Sequence, residues 1–168
     1  PTASGDRKQS YVRGCSFFHG LNTAIGSGIG VHGLEMTDNV IVGAPEDGIR
    51  ILGNHAVVNN NAIASIWERS AWAKLMLGNS DFDEGAIPAG IDFKVAQHLT
   101  MKNNHVAGVM GPCYHSFGET CTGDLEECTS DVHATDPKVS GNTGSGCLIG
   151  YYILKQPLGR CQKVSGFF

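Results

Sequence analysis

The sequence predicts an all-β chain wound as a right-handed parallel β-helix, with a short helix and a Cys-rich loop inserted between its coils. Three observations predict it: an apolar-x-x-Asn-x-apolar pattern that recurs along the chain, a Gly-Ile pair phased with it, and a composition rich in glycine and modest in charge. The 168 residues suit one domain, residues 1–168, with a core of its own. With 23 glycines, 17% charged and 8% aromatic residues, the chain favours many tight turns over long helices.

Taken in order, the repeat first shows as Val12, Cys15 and Phe17, where Cys stands in the Asn position. It continues as Met36, Asn39 and Ile41; Val58, Asn61 and Ile63; and Met101, Asn104 and Val106. Val139 and Asn142 repeat the first half with Gly144 in the last place, and Val164 with Phe167 opens a final copy. Neighbouring copies stand 22 to 25 residues apart except after Val58 and Met101. The first long gap holds two units or one with an insertion, and the second holds one unit plus the Cys-rich stretch. Gly28-Ile29, Gly48-Ile49 and Gly90-Ile91 precede their Asn by 11, 13 and 14 residues, so two markers keep one phase. A unit this short cannot enclose a core, but coils stacked on one another bury a continuous apolar column. Asn suits the sharp turn because it tolerates left-handed backbone, and stacked copies can hydrogen-bond from coil to coil. The spacing therefore predicts an internal ladder of Asn39, Asn61 and Asn104, extended by Asn142. A leucine-rich repeat has too few leucines here, and a β-sandwich would make the phasing a coincidence.

One stretch breaks the pattern. Ser65-Ile66-Trp67-Glu68 reads as a capping box, Trp72, Leu75 and Met76 fall at helical spacing, and Gly78 supplies a stop, so a helix over 66–77 is expected outside the coils. With the polar loop 79–85, the insertion covers 66–86, and the chain re-enters a coil near Ile87. Six cysteines at 15, 113, 121, 128, 147 and 161 form an even set without Cys-x-x-Cys, which fits disulfides in an oxidising compartment better than zinc or scattered reduced thiols. The Cys-rich loop covers 111–137, and the disulfide candidates are Cys113, Cys121, Cys128 and Cys147. Cys113–Cys121 and Cys128–Cys147 are feasible pairs, but spacing alone leaves the pairing open. Cys15 is expected to be buried.

The net charge of -4, without a basic run, excludes a nucleic-acid partner. No run approaches the roughly 18 apolar residues of a membrane span, so no membrane contact by this segment is expected, and Asn-x-Ser/Thr is absent. Asp81, Asp83 and Glu84 form an acidic group ahead of Asp92. They read as a solvated loop, with calcium as the sharper alternative and no other cofactor expected. No catalytic residue and no firm metal ligand is assigned: the seven histidines contain no His-Glu-x-x-His, and Gly-Ser-Gly-Ile-Gly at 26–30 lacks the Lys of a phosphate loop. His32, His55 and His98 recur near one corner of successive coils, as a solvent-facing stack or a ligand groove. Arg50, Glu68 and Arg69 stay unassigned.

The wording of the early coils is itself informative: Ser16-Phe17-Phe18-His19-Gly20, Gly28-Ile29-Gly30-Val31, Asp38-Asn39-Val40-Ile41, Asp47-Gly48-Ile49-Arg50-Ile51 and Gly53-Asn54. It resembles the fibrocystin and fibrocystin-like family, as do Gly146-Cys147-Leu148-Ile149-Gly150-Tyr151 and Cys161 to Phe167, and more distantly the cell-migration-inducing hyaluronan-binding proteins. The resemblance implies parallel β-helix repeats in a fragment of a large extracellular or cell-surface protein. It further implies a non-enzymatic structural or recognition role, with other segments of the same ectodomain or extracellular proteins as partners. The alternative it carries is a carbohydrate-binding or carbohydrate-active β-helix with a glycan partner. That alternative requires acidic and His residues of neighbouring coils to converge on one groove.

Overall fold

The computed structural model describes residues 10–28, 31–53, 55–67, 87–93, 99–117 and 139–154. They wind through five coils of three short strands. The first coil holds β1 (Tyr11–Arg13), β2 (Ser16–Phe18) and β3 (Ile25–Ser27), and the second β4 (Glu35–Thr37), β5 (Val40–Pro45) and β6 (Asp47–Ile51). The third holds β7 (Val57–Asn59), β8 (Ala62–Trp67) and β9 (Ala89–Phe93), and the fourth β10 (Thr100–Lys102), β11 (His105–Val109) and β12 (Pro112–Phe117). The fifth holds β13 (Val139–Ser140), β14 (Thr143–Ser145) and β15 (Ile149–Leu154). Every third strand pairs in parallel, giving a first sheet β1-β4-β7-β10-β13, a second β2-β5-β8-β11-β14 and a third β3-β6-β9-β12-β15. This is a parallel β-helix, as the repeat predicts.

Register follows the repeat residue by residue. Val12, Met36, Val58, Met101 and Val139 stand opposite one another across the first sheet, and Phe17, Ile41, Ile63, Val106 and Gly144 across the second. The third sheet contributes Ile25, Ile49, Ile91, Tyr114 and Tyr151. These rows meet in one core, in which Met36, Ile41, Ile49, Val58, Ile91 and Met101 are fully buried. Because Val58 pairs directly with Met101, and Met101 with Val139, each long gap is a single coil carrying extra residues.

Three expectations need correction. Ser65, Ile66 and Trp67 do not open a helix but belong to β8, where buried Ile66 stands between Ala44 and Val109. Pairing on both sides and a core position outweigh a local capping signal; residues 68–86 of the expected insertion lie outside the described residues. The Cys-rich loop begins later than 111, because 112–117 form β12 against β9 and β15. The partner of Ile49 in the first coil is Ile25, because β3 starts three residues before the Gly28-Ile29 pair that the phasing singled out.

The corner between first and second sheet carries the ladder. The Asn39 side chain donates to Asn61 Oδ1 (2.9 Å), Asn61 to Asn104 Oδ1 (2.9 Å) and Asn104 to Asn142 Oδ1 (2.8 Å). Each carboxamide oxygen also accepts the backbone N–H of the preceding coil's Asn, or of Cys15 in the first coil. Each amide nitrogen donates in addition to the carbonyl of Val12, Met36, Val58 or Met101. The left-handed residue of this corner is not the ladder Asn but the one before it: Gly14, Asp38, Asn60, Asn103 and Gly141, with φ between 54° and 66°. These are the types that visit that region at least cost. A second left-handed column, His19, Gly43, Ser65, Gly108 and Gly146, bends the chain out of the second sheet.

The glycine of the Gly-Ile pairs has a packing reason. A Cβ on Gly48 would strike Ile63 and the Gly90 carbonyl, and one on Gly90 would strike Val106 and the Cys113 carbonyl, so the chain enters the third sheet against its neighbouring coil. In the last two coils the core filling changes. Tyr114 and Tyr151 stack with ring centroids 4.7 Å apart, and their hydroxyls cross the core to donate to the Thr143 carbonyl (2.8 Å) and the Asn142 carbonyl (3.0 Å). Cys113 is bonded to Cys147, tying the fourth coil to the fifth. Gly144 leaves the space for it, since a Cβ there would meet the Cys113 side chain. The absent apolar residue at 144 is thus replaced by sulfur from across the core. This bond excludes both pairs considered from spacing, Cys113–Cys121 and Cys128–Cys147, because the Cys113 side chain faces the next coil rather than its own loop.

Candidate functional site

The chemistry-bearing side chains gather on the outer face of the third sheet. In a strand, residues flanking an inward position point outward, so Arg50, next to Ile49, lies one coil from Asp92, next to Ile91; His115 and Tyr152 follow in register. One row therefore runs Gly26, Arg50, Asp92, His115, Tyr152 through all five coils. Arg50 clamps Asp47: its Nε and Nη2 lie 2.7 and 2.6 Å from Asp47 Oδ2, while Asp47 Oδ1 accepts the Ala89 N–H at 2.9 Å. The same guanidinium lies 3.7 Å from Glu46 and 3.7 Å from Asp92. His115 Nδ1 stands 3.1 Å from Asp92 Oδ1, and its ring stacks on Tyr152 at 5.4 Å and 9°. Glu46 reaches this position at φ 102°, a strained value for a residue with a side chain.

Three carboxylates thus share one arginine and one histidine, and they are hardly open to water. Asp47 is 1%, Asp92 2% and His115 7% exposed. Burial, and then the charge of Asp92, push the Asp47 carboxyl up from its ordinary 3.8 to about 6, against the pull of Arg50. The row can tie coils together, with the Tyr152 ring stacked on His115 between the fourth and fifth coils. Among the described residues no three His, Cys, Asp or Glu side chains come together as a cation cage.

The other candidates lie elsewhere. Asn39, Asn61, Asn104 and Asn142 form the corner ladder. Asp81, Asp83 and Glu84, as well as Cys121, Cys128, Glu68, Arg69 and His98, lie outside the described residues. His32 and His55 sit exposed on the connections leaving the third sheet. Cys15, expected to be buried, is exposed with a free thiol, because its ladder bond is made by its backbone N–H alone. Sequence reasoning left Arg50 unassigned and did not single out Glu46, Asp47, His115 or Tyr152. Its own markers could have placed Arg50 beside Asp92, since Gly48-Ile49-Arg50 and Gly90-Ile91-Asp92 share one phase.

The fold and this row define a parallel β-helix segment whose charged groups serve contacts between coils. The chain is 33% identical to fibrocystin-L of Homo sapiens over 158 residues, which are 94% of this chain and 3% of that protein. It is 29% identical to fibrocystin-L of Mus musculus over 162 residues, 96% of this chain and 4% of the relative, and 25% identical to fibrocystin of Canis lupus familiaris over 137 residues. The chain belongs to the fibrocystin-like family, and it spans only a few hundredths of the length of the relatives it matches. No family model matches it, and no solved structure does.

Proposed function

We propose that this chain is a non-enzymatic β-helix module of a large extracellular or cell-surface fibrocystin-like protein. It spaces and presents surfaces to other segments of that protein or to other extracellular proteins. The observation that carries this reading is the state of its charged row: Asp47 and Asp92 are sealed from water and engaged with Arg50 and with backbone. A general acid or base has to reach its substrate, whereas these groups reach the next coil. The Cys113–Cys147 bond supports an oxidising compartment. The test is polysaccharide turnover by the intact parent ectodomain: no turnover of any acidic glycan is expected, and turnover abolished by Asp92→Asn overturns the reading.

A second reading, carbohydrate binding, is favoured by Arg50 and Tyr152, the partly exposed members of the row, which Asp92 and His115 hold in place. Glycan-array binding lost on Tyr152→Ala would promote it. Binding that needs calcium and is lost when Asp81, Asp83 and Glu84 are neutralised would assign the acidic loop to the same site.

A further inference from the structure

The outward residues of the second sheet are Ser16 and Phe18, Val40 and Val42, Ala62 and Ala64, His105 and Ala107, and Thr143 and Ser145. None carries a fixed charge across five strands, whereas the first sheet presents Arg13, Glu35 and Lys102. The second sheet's face is bordered by an apolar ridge. Pro45 pairs with Trp67, and the Met110 N–H donates to the Ile66 carbonyl, which sets Met110 beside Trp67. The Leu148 N–H donates to the Val109 and Gly111 carbonyls, continuing the ridge into the fifth coil. At the other end, Leu21 lies three residues past Phe18, as Pro45 lies three past Val42. Phe18 is 62%, Leu21 73%, Met110 60% and Leu148 77% exposed.

The outer faces of a β-helix ordinarily meet solvent through charged side chains, so an uncharged face bordered by exposed apolar side chains marks a contact surface. Five strands about 4.8 Å apart and some six residues of about 3.3 Å give roughly 450 Å². That is about half of what each partner buries in a stable complex of independent proteins, but it suits packing between tethered domains. A tether makes a small area sufficient by raising the local concentration. The relatives supply the tether, since about 97% of human fibrocystin-L lies outside the aligned stretch.

We propose that the outer face of the second sheet, with the ridge of Leu21, Trp67, Met110 and Leu148, docks onto an uncharged apolar face of another module of the same polypeptide. The proposal rests on the reading of this chain as a module of a long protein, and it names the surface used. The experiment is hydroxyl-radical footprinting of the full-length parent. The Met110 side chain oxidises slowly in the unaltered protein, several-fold faster in Ala62→Arg with Ser145→Arg, and at a rate independent of protein concentration. Oxidation of Met110 that is equally fast in both proteins overturns the proposal, and so does protection that disappears on dilution, which would indicate a second molecule. Should the arginine variant fail to fold, a photo-crosslinker in place of Leu148 decides: crosslinks within the same polypeptide but outside residues 1–168 support docking, while none, or only crosslinks to another molecule, refute it. An open Met110 in a parent without polysaccharide turnover would sink the docking surface alone.

Discussion

Asn61 holds two neighbouring coils at once. Its oxygen accepts from the backbone and side chain of Asn39, and its nitrogen donates to Met36 and Asn104, all away from water. Asn61→Ala would strand four polar partners, and a loss of roughly 4 kcal/mol in urea unfolding is expected. Asn61→Asp should also destabilise, because a carboxylate accepts but cannot donate to the Met36 carbonyl. Asn142→Ala, at a less buried rung, should cost less. Such columns were legible in the sequence because the Asn recurs in phase. The left-handed residues before them were not singled out, although Gly, Asp and Asn at 14, 38, 60, 103 and 141 are a readable signal. Ser65, at φ 57°, is one of two non-glycine members of the second left-handed column, beside His19, so Ser65→Gly should raise stability by about 1 kcal/mol in the same assay. Asp47 gives a pH dependence of unusual sign. Its folded-state pKa, about 6, exceeds the ordinary 3.8, so the folded protein binds that proton more tightly than the unfolded chain. Its contribution is greatest below about pH 4 and is lost as the pH rises through 6, leaving roughly 3 kcal/mol less at pH 7. Asp47→Asn should remove this slope from unfolding curves recorded between pH 4 and 7.

Among elements, β8 and β12 show where local signals fail. Ser65-Ile66-Trp67-Glu68 carries helix-start chemistry, yet Ile66 is held between Ala44 and Val109 by ladder bonds on both sides. Nothing within four residues reveals neighbours 22 and 43 positions away. The Cys-rich stretch misled for the same reason, since Cys113 finds its partner in the next coil, at a sequence separation of 34. Gly144 was visible as a defect in the repeat, but its reason lies across the core. Closing a loop of that length limits the unfolded chain by about 4 kcal/mol in the chain-entropy account. Reduction, or Cys113→Ser with Cys147→Ser, should therefore lower stability by a few kcal/mol and loosen β14 and β15 before the other strands. Gly144→Val restores the apolar pattern of the repeat but fills the sulfur's space. It should destabilise the oxidised protein more than the double serine variant, which calorimetry of the two would show.

At the scale of the whole molecule, stability passes from coil to coil, because each coil's strands pair only with those of the adjacent coils. The middle coils have a partner on each side, and their ladder amides are buried. In the first coil, Val12 and Phe17 are only partly covered and Cys15 supplies no side-chain rung. The chain produced alone should consequently open from its β1–β3 edge rather than in one step, in keeping with the local opening of repeat folds. Hydrogen exchange checks this. The amides of Asn61, Ala62, Asn104 and His105 should be the slowest, those of Gly14, Cys15 and His19 faster by orders of magnitude, and Asn61→Ala should speed exchange on both sides of the third coil. Uniform rates across all five coils would instead mean that the core column, shared by every row, binds the coils into one cooperative unit and that the ladder only sets their register.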